Sequence, residues 1–229
     1  MKIRNRRAAA DVLLKEMNDL IIFVAENGLS VDQNIPYEVH RIGDVVDITH
    51  NGNSMAYMLR NRSYREMYAD ALSSSSYLFR LFDDSLVQMS FQVKAGELLR
   101  SRAAYLPPPS FDVFQESIEL FAEDLIFADI IDRRVVAVPI RIDYDVRDHV
   151  VVSREHPKSH FTLGQFEGCR LALSAPITPT LFIDLVLKMF YSKALATCST
   201  PVPSSKYRFK RCLDAREERD THIHVSDSA

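Results

Sequence analysis

The chain has 229 residues, a formal net charge of −3, and 47% hydrophobic and 26% charged residues. That balance is ordinary for a globular protein long enough to bury a real core. It carries no global field that would advertise nucleic acid or an anionic membrane, although local basic patches stay open. Three cysteines, Cys169, Cys198 and Cys212, form neither a Cys-x-x-Cys pair nor an even-numbered framework, which points away from a zinc ribbon or disulfide scaffold and toward a reducing, cytoplasmic setting.

The basic start, Met1-Lys2-Ile3-Arg4-Asn5-Arg6-Arg7, does not run on into the apolar stretch of a signal peptide. Lys15, Glu16, Asn18 and Asp19 interrupt it, and apolar runs such as Leu20 to Ala25 are too short to span a bilayer. The segment reads as a helix: Leu13, Met17, Leu20, Ile21 and Val24 recur at three- and four-residue spacing, and Asn27-Gly28 is a C-terminal stop. A linker over 31–38, a short strand over 39–49 and a helix over 55–72 are expected next, closed by the serine run 73–76.

The clearest β pattern follows. Residues 77–82 and 86–93 flank Asp83-Asp84 as a hairpin, with Val87, Met89, Phe91 and Val93 opposite Leu86, Gln88, Ser90 and Gln92. Ala95-Gly96 turns the chain into a third strand, and Pro107 to Pro109 end the pairing. Residues 111–127 have the spacing of an amphipathic helix through Phe114, Ile118, Phe121 and Leu125. A strand over 135–146, a return strand over 150–153, a loop over 156–164, a strand over 169–173 and a helix over 180–195 complete the pattern, with Pro176 and Pro179 at the helix start. The prediction is an α+β domain over 1–196: a mostly antiparallel sheet of about five to seven strands with the N- and C-terminal helices on one face. Residues 197–229 read as a polar, mobile tail.

Candidate chemistry concentrates at His156-Pro-Lys-Ser-His160-Phe-Thr162-Leu-Gly164. Histidines four apart suit a metal only on a helix, and Pro157 weakens that geometry, so no metal is expected. The remaining readings are neutral histidines for acid–base work near pH 7, or a rigid turn in which the imidazoles donate to backbone carbonyls. His160-x-Thr162 resembles half the signature of the two-histidine phosphoesterases, with His224-x-Ser226 as a weak second half. Before the motif, Arg141, Asp143, Asp145 and Arg147 alternate along one strand face, and Arg170 follows it; an arginine there can hold phosphate or carboxylate. The bland reading is a solvated face with weak ion pairs. Lys206, Arg208, Lys210 and Arg211, interleaved with Tyr207 and Phe209, could contact nucleic acid. Common nucleotide, hydrolase and zincin motifs are missing, and no cofactor is implied.

The order Pro139-Ile-Arg-Ile-Asp-Tyr-Asp145, His156 to Gly164, Cys169-Arg170 and the helix ending Met189-Phe190-Tyr191 resembles an uncharacterised bacterial family, the domain of unknown function DUF2290. The resemblance covers roughly residues 10–195 by its order of elements and implies no activity or catalytic residue. Two function classes follow. One is a partner-binding or nucleic-acid-linked accessory protein, in which a protein partner could also use the same segment as a rigid corner. The other is a small enzyme on a phosphoester or nucleic acid: His156 or His160 as acid or base, Asp143 or Asp145 orienting the imidazole, and Arg141, Arg170 and Thr162 holding the substrate.

Overall fold

The computed structural model describes residues 4–51, 62–136, 138–147, 150–153, 155–165, 168–205 and 207–225, with side chains from Ala9 onward. Helix α1 (Arg4–Glu26) ends where expected. Gly28 takes φ +66°, a left-handed conformation that glycine enters without strain, and Leu29 N–H returns to Val24 O at 2.8 Å. Leu13, Met17, Leu20 and Val24 are fully buried on its inner face.

Among the described residues the sheet has ten strands: β1 (Ser30–Gln33), β2 (Tyr37–Arg41), β3 (Val45–Thr49), β4 (Phe79–Leu81), β5 (Leu86–Lys94), β6 (Glu97–Leu106), β7 (Ile140–Asp145), β8 (Ser159–Leu163), β9 (Arg170–Leu173) and β10 (His222–Ile223). Their order is β1-β4-β5-β6-β7-β8-β9-β10, and β3 joins β5 beyond the end of β4, carrying β2 with it. Every pairing is antiparallel except β9 with β10. The α+β, mostly antiparallel reading therefore holds, with more strands than the sequence pattern suggested.

The extra strands have local causes. Residues 31–38, expected as a linker, supply β1 and the start of β2. The single strand expected over 39–49 is a hairpin, because Gly43 at φ +81° and Asp44 at φ +59° reverse the chain. Part of the helix expected over 55–72 lies outside the described residues; the rest is α2 (Tyr64–Ser73), started by a reciprocal Ser63–Glu66 capping box. The helix expected over 111–127 is broken. Its residues form two single turns, α3 (Asp112–Gln115) and α4 (Ile118–Phe121), then a 3-10 turn at Leu125–Phe127. Phe114, Phe121 and Phe127 still cluster there, with ring centroids 4.9–5.8 Å apart. The spacing recorded a shared apolar cluster, not a continuous helix.

The main core lies between the Val87–Met89–Phe91–Val93 face and two helices, α1 and α5 (Pro179–Phe190). Thr178 caps α5 and Pro179 opens it; Tyr191, at φ −135°, separates it from the short α6 (Ser192–Thr197). Tyr191 also reaches back into the sheet. Its hydroxyl donates to fully buried Asp83 at 2.7 Å, and Ser85 N–H and Oγ–H donate to the same carboxylate at 3.0 Å. The expected hairpin turn is thus fastened to the helical layer, and burial pushes the Asp83 carboxyl up.

The segment beyond Thr197, expected as a mobile tail, packs along the molecule. Its β10 extends the sheet beside β9, Tyr207 and Phe209 lie against the main core, and Ser205 is buried with its hydroxyl bonded to Glu16 of α1. Glu16 also accepts from the Thr180 hydroxyl at 3.0 Å, so α1, α5 and this segment meet at one buried carboxylate.

Candidate functional site

The second sheet face is polar because the strands alternate. On β5 to β10 the residues facing away from α1 and α5 include two long cross-strand rows. The first runs Gln88–Ala104–Arg141–Thr162–Arg170. The second runs Ser90–Arg102–Asp143–His160–Ala172–His222. The 156–164 stretch, expected as a loop, supplies β8 from residue 159 onward. Period-two alternation puts His160 and Thr162 on this face and Phe161 on the other. Residues 150–153, expected as the return strand, contribute only an isolated bridge from Val152 to His156.

Asp143 is the hub. Its two oxygens accept from Nε of Arg102 and Nε of Arg141, and the carboxylate side chain is only 11% exposed. Burial alone would raise the Asp143 carboxyl, but the two guanidinium groups outweigh it and hold the pKa below the usual carboxylate range. His160, opposite Asp143, is buried. Its Nδ1 lies 2.9 Å from Pro157 O and its Nε2 3.8 Å from Asp143. Burial lowers its pKa to about 4, against the pull of Asp143 and of the carbonyl, so the imidazole is neutral at pH 7. His156 is half-buried, its ring 4.7 Å from that of His160; burial, then the charge of Arg170, lowers its pKa too.

Next to this hub, three buried polar atoms have no hydrogen-bond partner among the described residues: Thr162 Oγ1, Arg170 Nε and His156 Nδ1. Thr162 and Arg170 are directly opposite across β8 and β9. Buried polar groups are paired in the great majority of cases, so these atoms single this spot out. Arg102 and Arg141 both bond Asp143, and Arg170 stands across from Thr162 in the adjoining row.

Asp145 belongs to a neighbouring pairing further along β7. It accepts from Arg147 Nε at 2.9 Å, and Arg100 lies 3.7 Å away. Burial raises its carboxyl, but the Arg147 bonds and Arg100 outweigh this and lower it. The structure therefore brings His156, His160, Asp143, Arg141, Arg170 and Thr162 together and sets Asp145 one row away.

Sequence reasoning missed Arg102 and His222. Arg100-x-Arg102 on β6 carried the same alternation as β7, but only the register shows that Arg102 meets Asp143. The proposed second His-x-Ser half is not opposed to the first: His224 is exposed beyond the end of β10, and Ser226 lies outside the described residues. It is His222 that shares the row with His160.

The basic cluster near the C-terminus has another use. Lys206 lies outside the described residues. Arg208 bonds Ser205 O and Tyr207 O, Lys210 pairs with Glu97 at 2.9 Å, and Arg211 with Glu218 at 3.4 Å. The two rings that could have stacked on bases pack against the core. Among the described residues no group of three His, Cys, Asp or Glu is placed to hold a metal, and no helix is long and apolar enough to cross a membrane.

Fold and face define an α+β sheet protein whose sheet packs one face on α1 and α5 and carries on the other an arginine-rich polar region beside α2. The chain belongs to the DUF2290 family of uncharacterised conserved proteins, whose model matches residues 29–225. The match takes in the segment after Thr197 that the sequence resemblance left out. No curated protein and no solved structure matches the chain.

Proposed function

We propose that the polar sheet face binds a phosphoester, making the protein a phosphate-recognising, nucleic-acid-linked accessory protein. The observation that carries this reading is the trio of buried atoms without a hydrogen-bond partner among the described residues, Thr162 Oγ1, Arg170 Nε and His156 Nδ1, next to the Arg141 guanidinium across the strands. A phosphate oxygen accepts from a hydroxyl and a guanidinium N–H at once, and its charge suits the arginine. His156 Nδ1 completes the set as a donor in the tautomer protonated there. The burial of His160 against Pro157 O suits a positioning role, holding Asp143 and the ring of His156 in place, so the reading rests on binding and not on acid–base turnover.

The test is calorimetric titration with ribose 5-phosphate at low and high salt, on the wild type and on Arg170→Met. Saturable, salt-weakened binding that drops at least about tenfold in the variant is expected, because charge-assisted bonds are worth roughly 1.5–3 kcal/mol. The thermal stability of Arg170→Met should stay close to wild type, since Nε has no partner to lose. Absence of binding at millimolar ligand, or equal binding by Arg170→Met, sinks the reading.

A further inference from the structure

One margin of the sheet is β2. Among the described residues it pairs with β3 alone, so its other side has no strand partner. Tyr37, His40 and Arg41 are exposed along it. Ile35 and Ile42, just beyond its two ends, are the most exposed large apolar side chains among the described residues. An edge with unpaired backbone groups is a template for one more strand.

We infer that β2 pairs antiparallel with β2 of a second copy of this chain, about a two-fold axis at Val39. The register follows from the strand's own residues. Directly opposed residues in an antiparallel ladder turn their backbone groups the same way, so the axis passes through a residue and not between two. An axis at Val39 is the one position that opposes all five residues of β2: Tyr37 meets Arg41, Glu38 meets His40, and Val39 meets itself. Charge selects the same register. An axis at Glu38 sets that carboxylate against itself, and one at His40 or Arg41 does the same for two donors; like charges directly opposite destabilise a ladder. With the axis at Val39, each carboxylate faces an imidazole N–H donor and each guanidinium faces a tyrosine ring, which attracts a cation. Glu38 and His40 already lie 3.4 Å apart on one face of β2. The two-fold therefore gives each carboxylate an imidazole on its own strand and another across the axis. Arg41 keeps its Nε on Asp47 at 2.7 Å and is exposed beyond that bond. The same register sets each Ile42 opposite the second copy's Pro36 and beside its Ile35, so both exposed isoleucines are covered at each end of the ladder.

Sedimentation velocity on the full chain, from about 5 to 500 μM, is the test. A five-residue ladder is a small interface, so the dimer is a weak one, with a Kd on the order of 100 μM. Glu38→Lys and His40→Glu each spoil two symmetric cross-axis pairs and should weaken self-association at least about tenfold. Mixed in equal amounts, the two variants should associate as strongly as the wild type. The new lysine then faces the new glutamate, and the remaining Glu38 faces the remaining His40. Ile42→Ser changes a fully exposed residue at the hairpin tip, so it should weaken the dimer a few-fold without moving the melting temperature, and it decides the matter if a charge variant folds poorly. A wild type that stays monomeric at about 500 μM overturns the inference and leaves the edge to a strand of another protein. A dimer that neither Glu38→Lys nor Ile42→Ser weakens lies elsewhere on the molecule, which also overturns it. Folded single variants that fail to associate when mixed overturn the register, and the inference with it.

Discussion

Replacing Thr162 with valine separates a ligand-binding role from a structural one. The Thr162 hydroxyl is buried on β8 and has no partner among the described residues. An unpaired buried hydroxyl costs about 1–3 kcal/mol of desolvation, and exchanging it for a methyl adds buried apolar surface worth roughly 0.8 kcal/mol. Valine keeps the branched shape a strand favours. Thr162→Val is therefore expected to be more stable than the wild type by about 1–2 kcal/mol, a rise of roughly 2–8 °C for a chain of this size. The same change deletes a donor to phosphate, so affinity for ribose 5-phosphate should fall by about one order of magnitude or more. Differential scanning calorimetry without ligand and titration calorimetry with it read the two quantities on one sample. A variant that melts more than about 2 °C below wild type would refute the reasoning, because it would mean the hydroxyl has a structural partner. Unchanged affinity would remove Thr162 from the site.

Asp143→Asn leaves Arg102 and Arg141 beside a neutral amide, and losing one partner of a buried pair costs about 3–5 kcal/mol. Its melting temperature should drop sharply and then recover more on adding phosphate ligand than the wild type's does; equal ligand-induced shifts would contradict the charge argument. His160 and His50 each have a pKa lowered to about 4 by burial, so between pH 6.5 and 4 the unfolded chain holds more protons than the folded one. Stability is thus complete above about pH 6.5 and falls toward pH 4 by roughly 3 kcal/mol per histidine. Urea titrations across that window should show the loss, and His160→Asn, whose amide can still donate to Pro157 O, should remove about half of it. Truncation after Thr197 removes β10, Ser205, Tyr207 and Phe209 from the packed molecule. It should lower the melting temperature by about 10 °C or more, and a shift under about 2 °C would show that the segment's packing contributes little.

The local pattern of residues determined much of this molecule. Alternation along 86–93 and 140–145 assigned each side chain to a face, because successive side chains on a strand point to opposite sides. The same rule put Arg141, Asp143 and Asp145 on a common face, and helical spacing placed α1 with its glycine stop. The 156–164 stretch misled because proline and glycine at its ends read as turn signals, while its strand character came from pairing with β7 and β9. The C-terminal segment misled for a related reason: it is polar in composition, and only contacts with Glu16, β9 and the core give it a place.

What the tertiary structure alone decided is register. No local signal shows that Asp143 stands between Arg102 and His160, that Thr162 faces Arg170, or that His222 and not His224 joins the row. Those pairings join residues up to 50 positions apart, as between Ala172 and His222, and depend on how the strands slide against one another. A one-residue slip would turn the whole polar set inward. Burial of the opposite face against α1 and α5 prevents that slip, and it is this packing that turns a strand of alternating charges into a candidate site.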